Sequence, residues 1–166
     1  MASTQISHTW QLPVGAKLAS TSLKLLGTMT AVIVEAGPDA GAIWHFGEPN
    51  QEQRALAAGT AWADLSHRGV ISVTGPDRLS WLHSITTQDV EKLTPGLWVS
   101  SLILDASGHI THQFYLVDDG TTTWLHTEKE KTAELLAYLE KMKFMLRVEI
   151  ADRSQSYAVL RAPGAP

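Results

Sequence analysis

The run GLWVSSLILDASGHITHQFYLVDDGTTTWLHT, residues 96–127, decides how this chain folds. Segments 96–105, 109–119 and 121–127 are rich in β-branched and aromatic residues, and they are parted by Ala106-Ser107-Gly108 and by Asp119-Gly120. Both separators carry turn chemistry, the Asp-Gly pair most strongly, so the run reads as a three-stranded antiparallel meander. His109 and His112 stand three apart on the second strand. Residues three apart on a strand point to opposite faces, which excludes a metal shared by the two rings through one side of the sheet. His112 falls in phase with Ile110, Phe114 and Leu116 and so faces the apolar side, while His109, Thr111, Gln113 and Tyr115 face the other way. A histidine so placed is either a satisfied core residue or a group reaching a ligand cavity, and parity leaves both open.

Working outward, EKEKTAELLAYLEKMKF (128–144) is acidic early and basic late, with Leu135, Leu136, Leu139 and Met142 along one face. It reads as an amphipathic helix lying on the sheet. On the other side, TGPDRLSWLHSITTQDV (74–90) offers Pro76 as a first helical residue and a stripe of Leu79, Leu82 and Ile85 beside Trp81. AWADLSHRGVISVTG (61–75) suggests two strands joined near His67-Arg68-Gly69 as a hairpin or kinked strand. EPNQEQRALAAG (48–59) reads as a short helix started by Pro49 and stopped by Gly59, burying Leu56 and Ala57. TAVIVEA (30–36) is a strand entering the turn GPDAG, and LRVEIA and SYAVLRA close the chain as two more. Strands and helices without strict alternation indicate an α+β class: a mainly antiparallel sheet with two or three packed helices.

Composition bounds what such a domain can do. The chain has 166 residues, 44% hydrophobic and 18% charged, enough for one core of the usual size of about 100–150 residues. Net charge is −4 with thirteen dispersed Lys and Arg, which leaves no electrostatic footprint for nucleic acid. There is no cysteine, hence no disulfide, no thiolate and no Cys-ligated cluster within this sequence. No apolar run approaches the length that spans a bilayer, so the expectation is a cytoplasmic protein without a membrane partner. Residues 1–28 are rich in Ser and Thr, contain Lys17 and Lys24 and lack acids. They faintly resemble a transit peptide, but without arginine they read as an irregular tail or artificial remnant, leaving 29–163 as the domain.

Other constellations carry little. TGPD has one glycine before its helix, fewer than a phosphate cradle needs. Asp64, Ser66 and His67 have the composition of a triad, but strand neighbours alternate faces. Trp62, Trp81, Trp98 and Trp124 fit core packing. Trp98 shares a strand face with Ser100, so it also suits the wall of a site for a flat ligand.

The ordered set WADLSHRGVISVTGPDRLSWLHSITTQDVEKLTPG, LILDASGHI and RVEIADRSQSYAVL resembles the N-terminal part of the YgfZ/GcvT superfamily of folate-binding proteins, over about residues 43–163. Its branches are the aminomethyltransferase of the glycine cleavage system and the YgfZ-type proteins of iron–sulfur cluster assembly or repair. In the transferases the strand after the turn resembles G-G-x-x-D-D, whose acid assists one-carbon transfer to tetrahydrofolate. Here both acid positions are taken, by His112 and Gln113, and neither supplies a fixed carboxylate. Ser100 replaces a tyrosine frequent in the transferases, and their T-T-N-D element is Thr86, Thr87, Gln88, Asp89.

KMKFMLRVEIAD (141–152) and AIWHFGEPNQEQRAL (42–56) resemble the YgfZ-type branch. The resemblance implies an α+β folate-binding accessory protein with a central cavity for tetrahydrofolate or another reduced folate. Ser100, His112, Gln113 and Trp98 are the cofactor-binding candidates it suggests, with no catalytic residue assigned, and iron–sulfur client or assembly proteins are the implied partners. The K-G-C-x-x-G-Q-E signature of that branch is absent, and the family is about twice as long, so the expectation is an N-terminal portion whose remainder supplies the thiol and the client contacts. A divergent aminomethyltransferase is the alternative, and a portion with no site of its own, stable only by association, is a third.

Overall fold

The computed structural model describes residues 31–161. The expectations for residues 1–28 and for the last residues of the chain lie outside that range. At its centre stands the meander: β5 (Val99–Leu104), β6 (Ile110–Asp118) and β7 (Thr122–Thr127) pair antiparallel in sequence order. β4 (Gly69–Thr74) then lies against β7, and β8 (Glu149–Asp152) against β4, giving a five-stranded antiparallel sheet in the order β5-β6-β7-β4-β8. Two smaller pairs flank it, β1 (Val32–Ile33) with β2 (Ile43–His45), and β3 (Ala63–Asp64) with β9 (Leu160–Arg161).

Alternation along the strands sends Ile71, Val73, Ile103, Phe114, Leu116 and Leu125 to one face, where all are buried. Helices α2 (Arg78–Ile85) and α3 (Thr132–Met142) cover that face with Trp81, Leu82, Leu135 and Leu139. Thus the leucine stripe expected of the later helix is the one that packs, and the α+β expectation holds, with α1 (Pro49–Ala57) as a third helix. The helix face is also tied by polar groups. Arg78 reaches from α2 to Asp118 at the end of β6, and the Trp81 indole N–H donates to the Met142 carbonyl, 3.1 Å.

Four local expectations change. The helix expected from Pro76 begins at Arg78, because Gly75 turns the chain at φ +109 and Asp77 turns its carboxylate to the backbone N–H of Arg147, 2.9 Å, instead of capping. It also ends early: Thr86 is extended and the next residue bonds the edge strand, Thr87 N–H to the Leu102 carbonyl at 3.0 Å. β3 and β4 do not form a hairpin; both edges of β4 are occupied by β7 and β8, so β3 pairs with β9 instead. Finally, α1 buries none of its residues, Leu56 and Ala57 included.

Candidate functional site

The turn between β5 and β6 is an Asp-centred one. Asp105 Oδ1 accepts the backbone N–H groups of Ser107 and His109 at 2.8 and 2.9 Å, Gly108 takes φ +84, and His109 Nδ1 lies 3.1 Å from Asp105 Oδ2. These bonds hold the Asp105 carboxyl below its ordinary range. His109 is thus an exposed turn residue. His112 is 7% exposed on the helix-covered face with Phe114 and Leu116. Among the described residues, no three His, Cys, Asp or Glu side chains gather where one ion could be held.

The register between β5 and β6 shifts between Ile103, opposite His112, and Leu104, opposite Ile110. One extra residue, Thr111, therefore sits in β6, a bulge that re-aims the strand. Its consequence corrects a parity expectation: Ile110, read as facing inward with His112, is 61% exposed. Thr111 Oγ1 donates across to the Ile103 carbonyl, 3.1 Å.

At this end of the sheet a cavity of about 190 Å³ is lined by Ile110, Thr111, His112, Gln113, Thr127, Glu128 and Lys131. His112 and Gln113 reach it from opposite sides of β6. Burial pushes the His112 imidazole down in pKa, the charge of Glu134 draws it up, and that of Lys131 pushes it down again, leaving the ring neutral near pH 7. Its Nδ1 is buried without a hydrogen-bond partner, and the ring tilts against Tyr138 of α3 at 5.4 Å. A buried polar atom left unpaired is costly, and a ligand atom supplies such a partner. Gln113 adds an amide that can donate and accept, and its backbone carbonyl accepts the Thr127 hydroxyl, 2.9 Å.

Trp98 and Ser100 lie elsewhere, on the face turned away from the helices. Ser100 is exposed and opposite Tyr115. Tyr115 stacks on His126 at 5.1 Å and 15°, and Trp98 meets the same imidazole edge-on at 5.4 Å. Gln113 alternates with His112 along β6 and lines the cavity beside it. Sequence reasoning missed Tyr115 and His126. Both were visible as residues of the meander, but pairing them needs the loop length at Asp119-Gly120, and a one-residue error would have put them on opposite faces.

The donor set fits part of a reduced folate: a neutral imidazole, an amide and two hydroxyls suit the polar edge of a flat heterocycle. The cavity is smaller than the roughly 300–1,000 Å³ of sites that enclose a drug-sized ligand, so these residues would seat one portion of such a molecule.

Comparison with known proteins agrees with the architecture. A glycine cleavage system aminomethyltransferase T from Bartonella henselae matches 81% of this chain and 38% of its own, with a TM-score of 0.59 at 19% identity, which is a likeness of fold. An iron–sulfur cluster assembly factor IBA57 homolog, mitochondrial, from Mycosarcoma maydis is 26% identical over 132 residues, covering 70% of this chain and 33% of that protein. An aminomethyltransferase from Thermus thermophilus is 29% identical over 115 residues, covering 69% and 33%. The chain spans about a third of the length of each of these two curated relatives. Residues 25–165 match the GCVT N-terminal domain model, and the chain therefore belongs to the GCVT N-terminal domain family.

Proposed function

We propose that this chain is the N-terminal part of a cytoplasmic, YgfZ-type folate-binding protein that supports iron–sulfur cluster assembly or repair, and that it does not itself transfer aminomethyl groups. The observation that carries this reading is the pair His112–Gln113. The aminomethyltransferase resemblance asks for carboxylates at these positions, and the chain holds there a buried imidazole kept neutral and an amide. Neither holds the negative charge that orients and relays a proton at a folate amine. Tetrahydrofolate, when bound, supplies the amines that carry one-carbon units. His112 would hold the ligand through its unpaired Nδ1, Gln113 would bond its polar edge, and Trp98 and Ser100 would line the part that extends onto the open face. IBA57 homologs stand among the relatives beside aminomethyltransferases, so the choice of branch rests on His112 and Gln113. No helix among the described residues is long and apolar enough to cross a membrane.

A second reading has one observation in its favour: Glu128 lines the same cavity. A divergent aminomethyltransferase that has moved its acid to Glu128 would use that carboxylate in place of the missing pair. The test is folate-dependent release of ammonia from an aminomethylated carrier protein. The accessory reading expects no release above the uncatalysed rate, while release that Glu128→Gln abolishes would establish the transferase.

A further inference from the structure

Two motifs that the folate reading leaves unused, the turn GPDAG at 37–41 and the run Asp64-Leu65-Ser66-His67, meet in space. The turn is held by the Ala40 N–H on the Gly37 carbonyl at 3.0 Å and the Gly41 N–H on the Val34 carbonyl at 2.9 Å, and it brings Asp39 to His67. β3 stops at Asp64 and the chain then turns, the Arg68 N–H donating to the Leu65 carbonyl at 2.9 Å, so strand alternation no longer parts these residues. The result is a cavity of about 190 Å³ lined by Gly41, Ile43, Asp64, Ser66 and His67. The His67 side chain is only 7% exposed; its Nε2 lies 3.7 Å from Asp39 Oδ1, and its Nδ1 is buried with no hydrogen-bond partner. Asp64 Oδ1 accepts the Ser66 N–H at 2.8 Å, which leaves Oδ2 unbonded. Among the described residues no Lys or Arg pairs with Asp39 or Asp64.

A serine nucleophile needs its hydroxyl on a base, and no hydrogen bond joins Ser66 to His67. A metal ion needs a cluster of ligands, and no three ligating His, Asp or Glu gather among the described residues. We infer that the cavity is a binding site for a primary alkylammonium group. Asp39 draws the imidazole proton to Nε2, which leaves Nδ1 as an acceptor. Asp64 Oδ2, the Ser66 hydroxyl and the His67 ring then offer three acceptors to the three N–H donors of an ammonium, and the carboxylate makes its bond charge-assisted. Asp39, exposed at the rim, adds a second negative charge, and Ile43 gives an apolar wall for methylenes. The volume is below the roughly 300–1,000 Å³ of sites that enclose drug-sized ligands, so the ligand is a short amine or the end of a lysine side chain. The site shares no lining residue with the His112 cavity and does not rest on the folate reading.

The test is a titration of n-butylammonium chloride into the 166-residue chain at about pH 8, where alkylamines stay protonated, following the His67 ring resonances by NMR with sodium chloride at matched ionic strength as the blank. The expected result is a saturable shift in the millimolar range, weakened about tenfold in Asp64→Asn, which keeps the acceptor for the Ser66 N–H but loses the charge-assisted bond. Butyltrimethylammonium, of equal charge but without N–H donors, should bind more weakly. Nα-acetyl-lysine methylamide separates the two sources: binding at least as tight as butylammonium supports a partner's lysine, and weaker binding supports a free amine. No saturable shift beyond the chloride blank would overturn the proposal, as would equal affinity for butyltrimethylammonium, tighter binding of magnesium chloride, or unchanged affinity in a folded Asp64→Asn variant. The comparison of the two ammonium ions on the wild-type chain decides the matter even if that variant fails to fold.

Discussion

Arg78 and Asp118, forty residues apart, form a two-pronged ion pair between α2 and the β6–β7 hairpin: Nε to Oδ2 at 2.8 Å and Nη2 to Oδ1 at 2.9 Å. Asp118 is 1% exposed, and its carboxylate also accepts the Thr123 hydroxyl at 2.6 Å and the Gly120 N–H at 2.8 Å. One carboxylate thus joins the helix, the turn and the strand beyond it. Removing its partner would leave a buried charge uncompensated, so Arg78→Ala should cost about 3 kcal/mol. Urea unfolding of the two proteins measures this, and a loss below about 1 kcal/mol, the worth of a surface pair, would mean that the pair is not buried in solution.

The same carboxylate shapes the acid limb of stability. Burial raises the Asp118 pKa, but the bonds from Arg78, Thr123 and Gly120 together outweigh it and hold the group below its ordinary value. Its contribution is therefore complete above the unfolded carboxylate range and is lost as pH falls through the lower folded value. Asp118→Asn should be less stable than wild type at neutral pH, and the two should converge in acid. A constant gap across the pH range would refute the linkage.

His126 acts at a higher pH with the same sign. Its folded value lies at about 4 against an ordinary 6.5, so the unfolded chain binds the extra proton first as pH drops. Stability is complete above the ordinary value and declines through that window, by on the order of 3 kcal/mol for one such group. In His126→Phe this part of the pH dependence should disappear from thermal unfolding midpoints, and a slope equal to wild type would show that another group carries it.

Gly69 opens β4 directly beneath Thr132, which is buried at the start of α3. A Cβ at this position would collide with the Thr132 hydroxyl and its carbons. Gly69→Ala should therefore destabilise by about 1–3 kcal/mol, as overpacking does. Pairing it with Thr132→Ala should restore part of the loss, and a double variant that loses the full sum of the two single losses would place the strain elsewhere.

The meander and the later helix were legible in the sequence because their signals were local: Asp119-Gly120, the β-branched runs, and leucines at helical spacing. What could not be read was set by competition between distant segments. β3 looked like half of a hairpin with β4, yet β8, eighty residues further on, holds that edge. Helix α2 reads as longer because the reciprocal bonds that end it, Thr87 N–H to the Leu102 carbonyl and Leu102 N–H to Thr87 Oγ1, lie across the fold. At the candidate site, the alternation of His112 and Gln113 was readable, but the bulge at Thr111 turned Ile110 outward. Trp98 and Ser100 share a face by strand alternation, while no local signal places His126 between Trp98 and Tyr115.

In the proposed function His112 faces a reduced folate. Isothermal titration of 5-formyltetrahydrofolate into wild-type protein and His112→Ala, with unfolding midpoints taken on both, measures this contact. Saturable binding is expected, weakened about tenfold when the Nδ1 contact is removed, in a variant that remains folded. Absence of saturable binding to the wild type, or a His112→Ala variant that loses stability at unchanged affinity, would contradict it and leave His112 as a residue of the core.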